Sequence, residues 1–172
     1  GTSVLAELRE GWVEFSSREW LWVVVAQFAL LVLAWQGAHT VLGPVVAKAE
    51  LGGAGAWSAI LTGEAVGMLV GVLVAMRIRP RRPILVGVLL TSATSLPYLL
   101  LGLGAPLPVI VLGGFVMGLG MDAFTVLWQT TMQREVPPEA LSRVASYDAF
   151  GSMVFGPVGV LLAGPAAVHL LS

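Results

Sequence analysis

The 172-residue sequence contains no cysteine, two histidines and only 11% charged residues. Without thiols there are no disulfides and no thiolate metal sites, although compartment stays open. Charge falls well short of the roughly 25% carried by an ordinary globular chain. The net charge of -1 is neither polybasic nor strongly acidic, so no nucleic-acid partner is expected. There is no Gly-x-Ser-x-Gly, no His-Glu-x-x-His, no phosphate-binding loop and no second histidine near an acid. An enzyme therefore lacks its parts, and no cofactor or metal is expected.

What fills the sequence instead is hydrocarbon. Hydrophobic residues make up 57%, and the mean hydropathy is +0.90. Several apolar runs approach the roughly 20 residues needed to cross a bilayer, so the chain reads as an all-α integral membrane protein. One stretch orients it. Arg77-Ile78-Arg79-Pro80-Arg81-Arg82-Pro83 packs four arginines between two apolar runs. Such charge density does not enter hydrocarbon, and the two prolines stop a helix from continuing through it. Short basic loops stay in the cytoplasm, which places this turn there.

In chain order, Gly1-Thr2-Ser3 without an initiator Met reads as a cloning remnant or a cut made inside a longer protein. Residues 1–19 read as a cytoplasmic amphipathic segment lying along the membrane surface. Val4, Leu5, Leu8, Trp12 and Phe15 form one face, and Glu7, Arg9, Glu10 and Glu14 fall on the other. Ser16-x-x-Glu19 predicts a capping box for the next helix. Residues 20–172 then divide into five spans, at about 20–42, 57–76, 84–103, 107–130 and 146–168. Gly43-Pro44 is expected to end the first. In the second, Gly63, Gly67 and Gly71 repeat every four residues and invite a close helix neighbour. Pro97 interrupts the third, beside the hydroxyls of Thr91, Ser95 and Tyr98. The fourth carries Gly114, Gly118, Asp122, Thr125 and Gln129 along one stripe. A polar loop is expected over 133–143, with Pro137-Pro138 opening a short interfacial helix.

With five spans, Arg9, Arg18, Arg77, Arg79, Arg81, Arg82, Arg134 and Arg143 share one side, and only Lys48 lies on the other. This distribution predicts a cytoplasmic amino terminus and an outside carboxyl terminus.

The sequence also resembles a known family. The residues that carry the likeness are Leu8-Arg9-Glu10-Gly11-Trp12, Val41-Leu42-Gly43-Pro44-Val45-Val46-Ala47, and the run Val136 to Val144. Ser146-Tyr147-Asp148 and Gly151-Ser152 extend that run. Over nearly its whole length the chain resembles the carboxyl-terminal half of a major facilitator superfamily transporter, spans seven to eleven of twelve. Within that superfamily it is most similar to bacterial exporters related to the enterobactin exporter. Two superfamily motifs occur in altered form. Gly71 with Arg77, Arg79, Arg81 and Arg82 resembles the Gly-x-x-x-Asp-Arg-x-Gly-Arg-Arg loop but lacks its acid and second glycine. Gly151, Gly156-Pro157 and Gly159 resemble the Gly-Pro antiporter motif, which belongs to the other half. The resemblance implies half of a major-facilitator fold in a bacterial inner membrane, working by alternating access against a missing amino-terminal half. It implies a proton-coupled exporter of small amphipathic substrates, drug-like or siderophore-like.

Glu64 and Asp122 are the acids deep in apolar spans. A carboxylate there is costly unless protonated or paired, and such residues mark ion or substrate pathways by default. The competing reading is a hydrogen-bonded acid that locks helices together. His39 and Gln36, three apart on the first span, offer a proton relay or a helix-pairing contact. Gln129 shares the stripe of Asp122, and Gln27 points away from His39. At the cytoplasmic side, Arg77, Arg79, Arg81, Arg82, Arg143 and Asp148 are candidates for the latch that the resemblance implies. The plainer readings are topology signals for the arginines and helix capping for Asp148. A rival from another class is a non-transporting helical module that binds another membrane protein.

Overall fold

The computed structural model describes residues 4–171. Residues 1–3 and 172, and the side chains of 4, 5, 7, 8, 151, 152, 164, 166, 167 and 169–171, lie outside the described residues. The apolar face expected from Val4, Leu5 and Leu8, the opposing Glu7, and the Gly151, Ser152 and Gly164 positions fall among these. Described residues form helices and turns only: α1 (Val4–Ser17), α2 (Glu19–Gly37), α3 (Gly43–Glu50), α4 (Ala54–Arg77), α5 (Pro83–Thr91), α6 (Leu96–Gly102), α7 (Leu107–Glu135) and α8 (Pro138–Leu171). A π-helical turn, Ala38–Leu42, joins α2 to α3, and a 3₁₀ turn, Ser92–Ser95, joins α5 to α6. The described residues thus include five helices long and apolar enough to cross a membrane, α1 preceding them. Their outer faces are apolar, with Leu69, Leu112 and Met153 exposed to 70%, 61% and 76%. Water does not tolerate such faces, whereas lipid does.

Prolines and caps act differently from expectation at four places. Gly43-Pro44 does not end the first span, which runs on from Glu19 to Glu50. Pro44 has no N–H to give the helix. The wider π turn absorbs the defect, with the Gly43 N–H reaching back to the Ala38 carbonyl. At Pro97 the chain tightens instead. The Leu96 N–H takes the Ala93 carbonyl that the proline would leave unpaired. The hydroxyls of Thr91, Thr94 and Ser95 donate to the carbonyls of Val88, Thr91 and Ser92 at 2.7, 2.6 and 2.8 Å. No capping box forms at Ser16, whose hydroxyl donates back to Val13 at 3.3 Å because α1 continues to Ser17. The expected 133–143 loop shrinks to Val136-Pro137, and Pro138 opens the long α8 rather than a separate interfacial helix. Pro at the first turn costs nothing, since its missing N–H has no partner there anyway.

Two close helix pairs build the bundle. In the first, Gly63, Gly67 and Gly71 of α4 face the carbonyls of Val111, Phe115 and Leu119 of α7. In return, Gly114 and Gly118 face the carbonyls of Ile60 and Glu64. A β-carbon at Gly63 would lie 2.7 Å from the Val111 oxygen, and one at Gly114 would lie 3.0 Å from the Ile60 oxygen. Both series ascend together, so α4 and α7 run parallel. In the second pair, Gly159 of α8 sits on the Leu33 backbone of α2, and Gly37 on Gly159 and Ala163. At the arginine end the pairs meet in a core of Leu21, Val24, Phe124, Trp128, Met132 and Val144. There α1 docks on α8 through buried Gly11 and Phe15, whose ring lies 5.6 Å from Tyr147. Trp12 stays 55% exposed, suited to the membrane interface.

Because these contacts involve backbone, they cannot yield to a side chain. Gly67→Leu is expected to lower unfolding stability in detergent by about 1–3 kcal/mol or more, the cost of overpacking. Gly102→Ala, where a β-carbon meets nothing within 4 Å, is expected to leave it nearly unchanged. Thermal unfolding of the two variants checks both outcomes.

Candidate functional site

Remote from the arginine turn, the first three spans converge on His39. The π turn carries His39, α4 carries Glu64, and α6 carries Tyr98 just after Pro97. His39 Nδ1 lies 2.9 Å from the Tyr98 hydroxyl, and His39 Nε2 lies 3.7 Å from Glu64 Oε2. Trp35 stacks on the imidazole at 4.8 Å between ring centres, and Trp57 approaches it at 5.4 Å. The side chains of His39 and Glu64 keep 19% and 13% of their exposure. Among the described residues Glu64 Oε2 is buried without a hydrogen-bond partner. An unsatisfied buried polar atom costs about 1–3 kcal/mol, so the fold carries this carboxylate at a loss.

The geometry has a defined chemistry. When the Tyr98 hydroxyl donates to Nδ1, the neutral ring holds its proton on Nε2, facing the carboxylate. A proton can then reside on either member of the pair, and the charge state changes only with proton arrival or loss. The site sits about 20 Å along α4 from Arg77, at 1.5 Å per residue, so it is within the span and away from its ends.

Other candidate residues are placed elsewhere. Gln36 does not join His39 but lies against α8, its Cγ 3.9 Å from where a Gly156 β-carbon would be. Asp122 is half-buried one turn beyond Gly118, and among the described residues it makes no hydrogen bond or ion pair. Thr125 and Gln129 are exposed along the same helix, with the Thr125 hydroxyl donating to Met121 at 3.0 Å. The stripe therefore splits, its glycines facing α4, Thr125 and Gln129 exposed, and Asp122 half-buried between them. Gln27 is exposed near the arginine end. Among the described residues no three His, Asp or Glu side chains gather as a metal site requires.

At the arginine end, Arg77, Arg79, Arg81 and Arg82 are exposed and form no ion pair among the described residues. Arg143 reaches Glu10 of α1 at 2.8 Å, not Asp148. Asp148 accepts the Trp128 Nε1–H at 3.1 Å, tying α8 to α7. Arg18 holds Glu14 at 2.6 Å and the Glu135 carbonyl at 3.0 Å, closing the α1–α2 corner onto α7. Sequence reasoning missed Trp57, Glu10 and the Trp128 bond. Neither periodicity nor composition marks them, because each depends on a neighbour far away in the chain.

The Tyr98–His39 bond is measurable. Tyr98→Phe removes it, with an expected cost of about 1 kcal/mol in unfolding free energy. A double-mutant cycle with His39→Phe should recover most of that loss as coupling, and additive effects would deny the bond any energetic role.

A family model, described as Major Facilitator Superfamily, matches residues 2–160. No curated protein and no solved structure matches the chain. With five membrane-length helices and this match over most of its length, the chain is a multi-pass membrane protein that belongs to the major facilitator superfamily of transporters.

Proposed function

We propose that the chain is half of a proton-coupled secondary exporter of small amphipathic molecules, drug-like or siderophore-like, with His39 and Glu64 as its proton-carrying pair. The observation that carries the proposal is the Glu64 carboxylate, buried in a membrane span with an unpartnered Oε2 and His39 Nε2 at 3.7 Å. A merely structural acid would have its oxygens satisfied. This one keeps an oxygen available for a proton. Protonation removes the cost of charge in the span, and deprotonation restores it, so the pair biases one packing of the bundle over another.

The stripe of Asp122, Thr125 and Gln129 supports a partner half. Polar side chains such as Asp122 and Gln129, with no hydrogen-bond partner among the described residues, are costly against hydrocarbon and belong on a watery path. In alternating access that path runs between two halves rocking around a central site. Asp122 and Gln129 are proposed as its wall on this half, with Gln36 near the opposite helix pair. The arginine turn, amino terminus and Val136-Pro137 corner face the cytoplasm of a bacterial inner membrane, by the charge distribution. The arginine turn, with the Arg143–Glu10 pair and the Asp148–Trp128 bond, latches one conformation at that side.

Transport by the complete protein tests the reading. Glu64→Gln keeps shape but cannot carry the charge. Export driven by a proton gradient is expected to fall to background, while exchange of substrate across the membrane persists. Asp122→Asn is expected to weaken export without abolishing its proton dependence. Unaltered, proton-dependent export by Glu64→Gln would remove the pair from the mechanism.

A further inference from the structure

Among the described residues, three grooves at the arginine end of the bundle can be compared, and their charges differ. The groove between α1 and α8 is lined by Arg9 and Arg143 but also by Glu10 and Glu14, so its charge balances. The groove between α2, α5 and α7 holds Arg82 and Arg134, together with Glu135. The third lies between α4, α5 and α7, has a volume of about 470 Å³, and is lined by Arg79 and Arg134 with no carboxylate. Its remaining walls are apolar or weakly polar, among them Met76, Val126, Leu127 and Thr130. Arg79 has no ion-pair partner among the described residues. Arg134 gives its Nε to Glu135 at 2.9 Å and keeps its two terminal nitrogens for another acceptor.

We infer that this groove binds the headgroup of an anionic phospholipid, the phosphate held between Arg79 and Arg134 and the acyl chains descending along Met76, Val126 and Leu127. Position and charge both select a lipid. The groove sits where the apolar spans end and the arginines begin, and exposed Met76 is part of its lining. Headgroup phosphates lie at that boundary between hydrocarbon and water. Basic pockets between membrane helices hold anionic headgroups for this reason. Guanidinium groups match phosphate oxygens in a bidentate fork. A zwitterionic lipid would leave the excess positive charge uncompensated. Arg77 and Arg81 line neither this groove nor the one beside it, although they lie in the same turn. That separates a built site from a general basic surface. The bound lipid bridges α4 and α7 across the turn and so stabilises the arrangement that forms the groove.

Native mass spectrometry of the protein released from bilayers of mixed phosphatidylglycerol and phosphatidylcholine reads this directly. Phosphatidylglycerol is expected to remain bound in preference to phosphatidylcholine, by about thirtyfold for two arginine contacts. Arg79→Gln with Arg134→Gln should erase the preference, Arg79→Lys with Arg134→Lys should keep most of it, and Arg77→Gln with Arg81→Gln should leave it unchanged. Equal retention of both lipids would overturn the inference. An equal loss in the Arg77/Arg81 variant would overturn it in favour of diffuse surface charge. Displacement of the lipid by millimolar inorganic phosphate would overturn it in favour of a soluble-anion site.

Discussion

Everything in this bundle hangs on the approach of two backbones, α4 and α7, to glycine-only distance. In lipid there is no hydrophobic force between helices, since acyl chains are as apolar as leucine. Close packing and backbone complementarity have to hold the spans instead. Five glycines alternate across the α4–α7 seam, each opposite a carbonyl of the other helix. The same device recurs between α2 and α8 at Gly37 and Gly159. One consequence concerns the two altered superfamily motifs. Gly71 and Gly159, one from each motif, both serve in these seams, whereas the motif arginines stay exposed.

The seam also determines where Glu64 sits. Gly118 of α7 packs on the Glu64 backbone, which directs the carboxylate away from α7 toward α2 and α6. The π turn then supplies His39, and the 3₁₀ turn before Pro97 supplies Tyr98. Each irregular turn is forced by a proline, and each delivers one polar side chain to the cluster. Irregular backbone at membrane depth survives only where protein or water satisfies it. In this protein those places coincide with the candidate chemistry.

At the other end, charge is handled by position. Carboxylates compensate Arg18, Arg134 and Arg143, whereas the four arginines of the turn extend outward. Arg18 and Arg143 fix the corners between α1, α2, α7 and α8, while the Arg134–Glu135 pair stays within α7. The unpaired arginines leave positive potential at the membrane boundary, from which orientation follows, and one of them, Arg79, joins the free terminal nitrogens of Arg134 in the proposed lipid site.

Hydropathy and charge by themselves determined the membrane class and the five spans, whereas the likeness to half of a transporter rested on particular runs such as Val136 to Val144. Class and spans follow from local composition, because an apolar run of about 20 residues has one stable home. The glycine repeat of α4 was readable too, since its period matches the helix. The sequence misjudged Gly43-Pro44, Ser16 and Pro138, where a π turn, a longer α1 and a continuous α8 changed the local outcome. Only the tertiary structure decided that His39 and Glu64 meet, that Gln36 parts from them, and that Arg143 takes Glu10. Those pairings join residues as far as 133 positions apart. Nothing in a linear pattern carries the rotation of one helix against another; packing against the neighbour sets it.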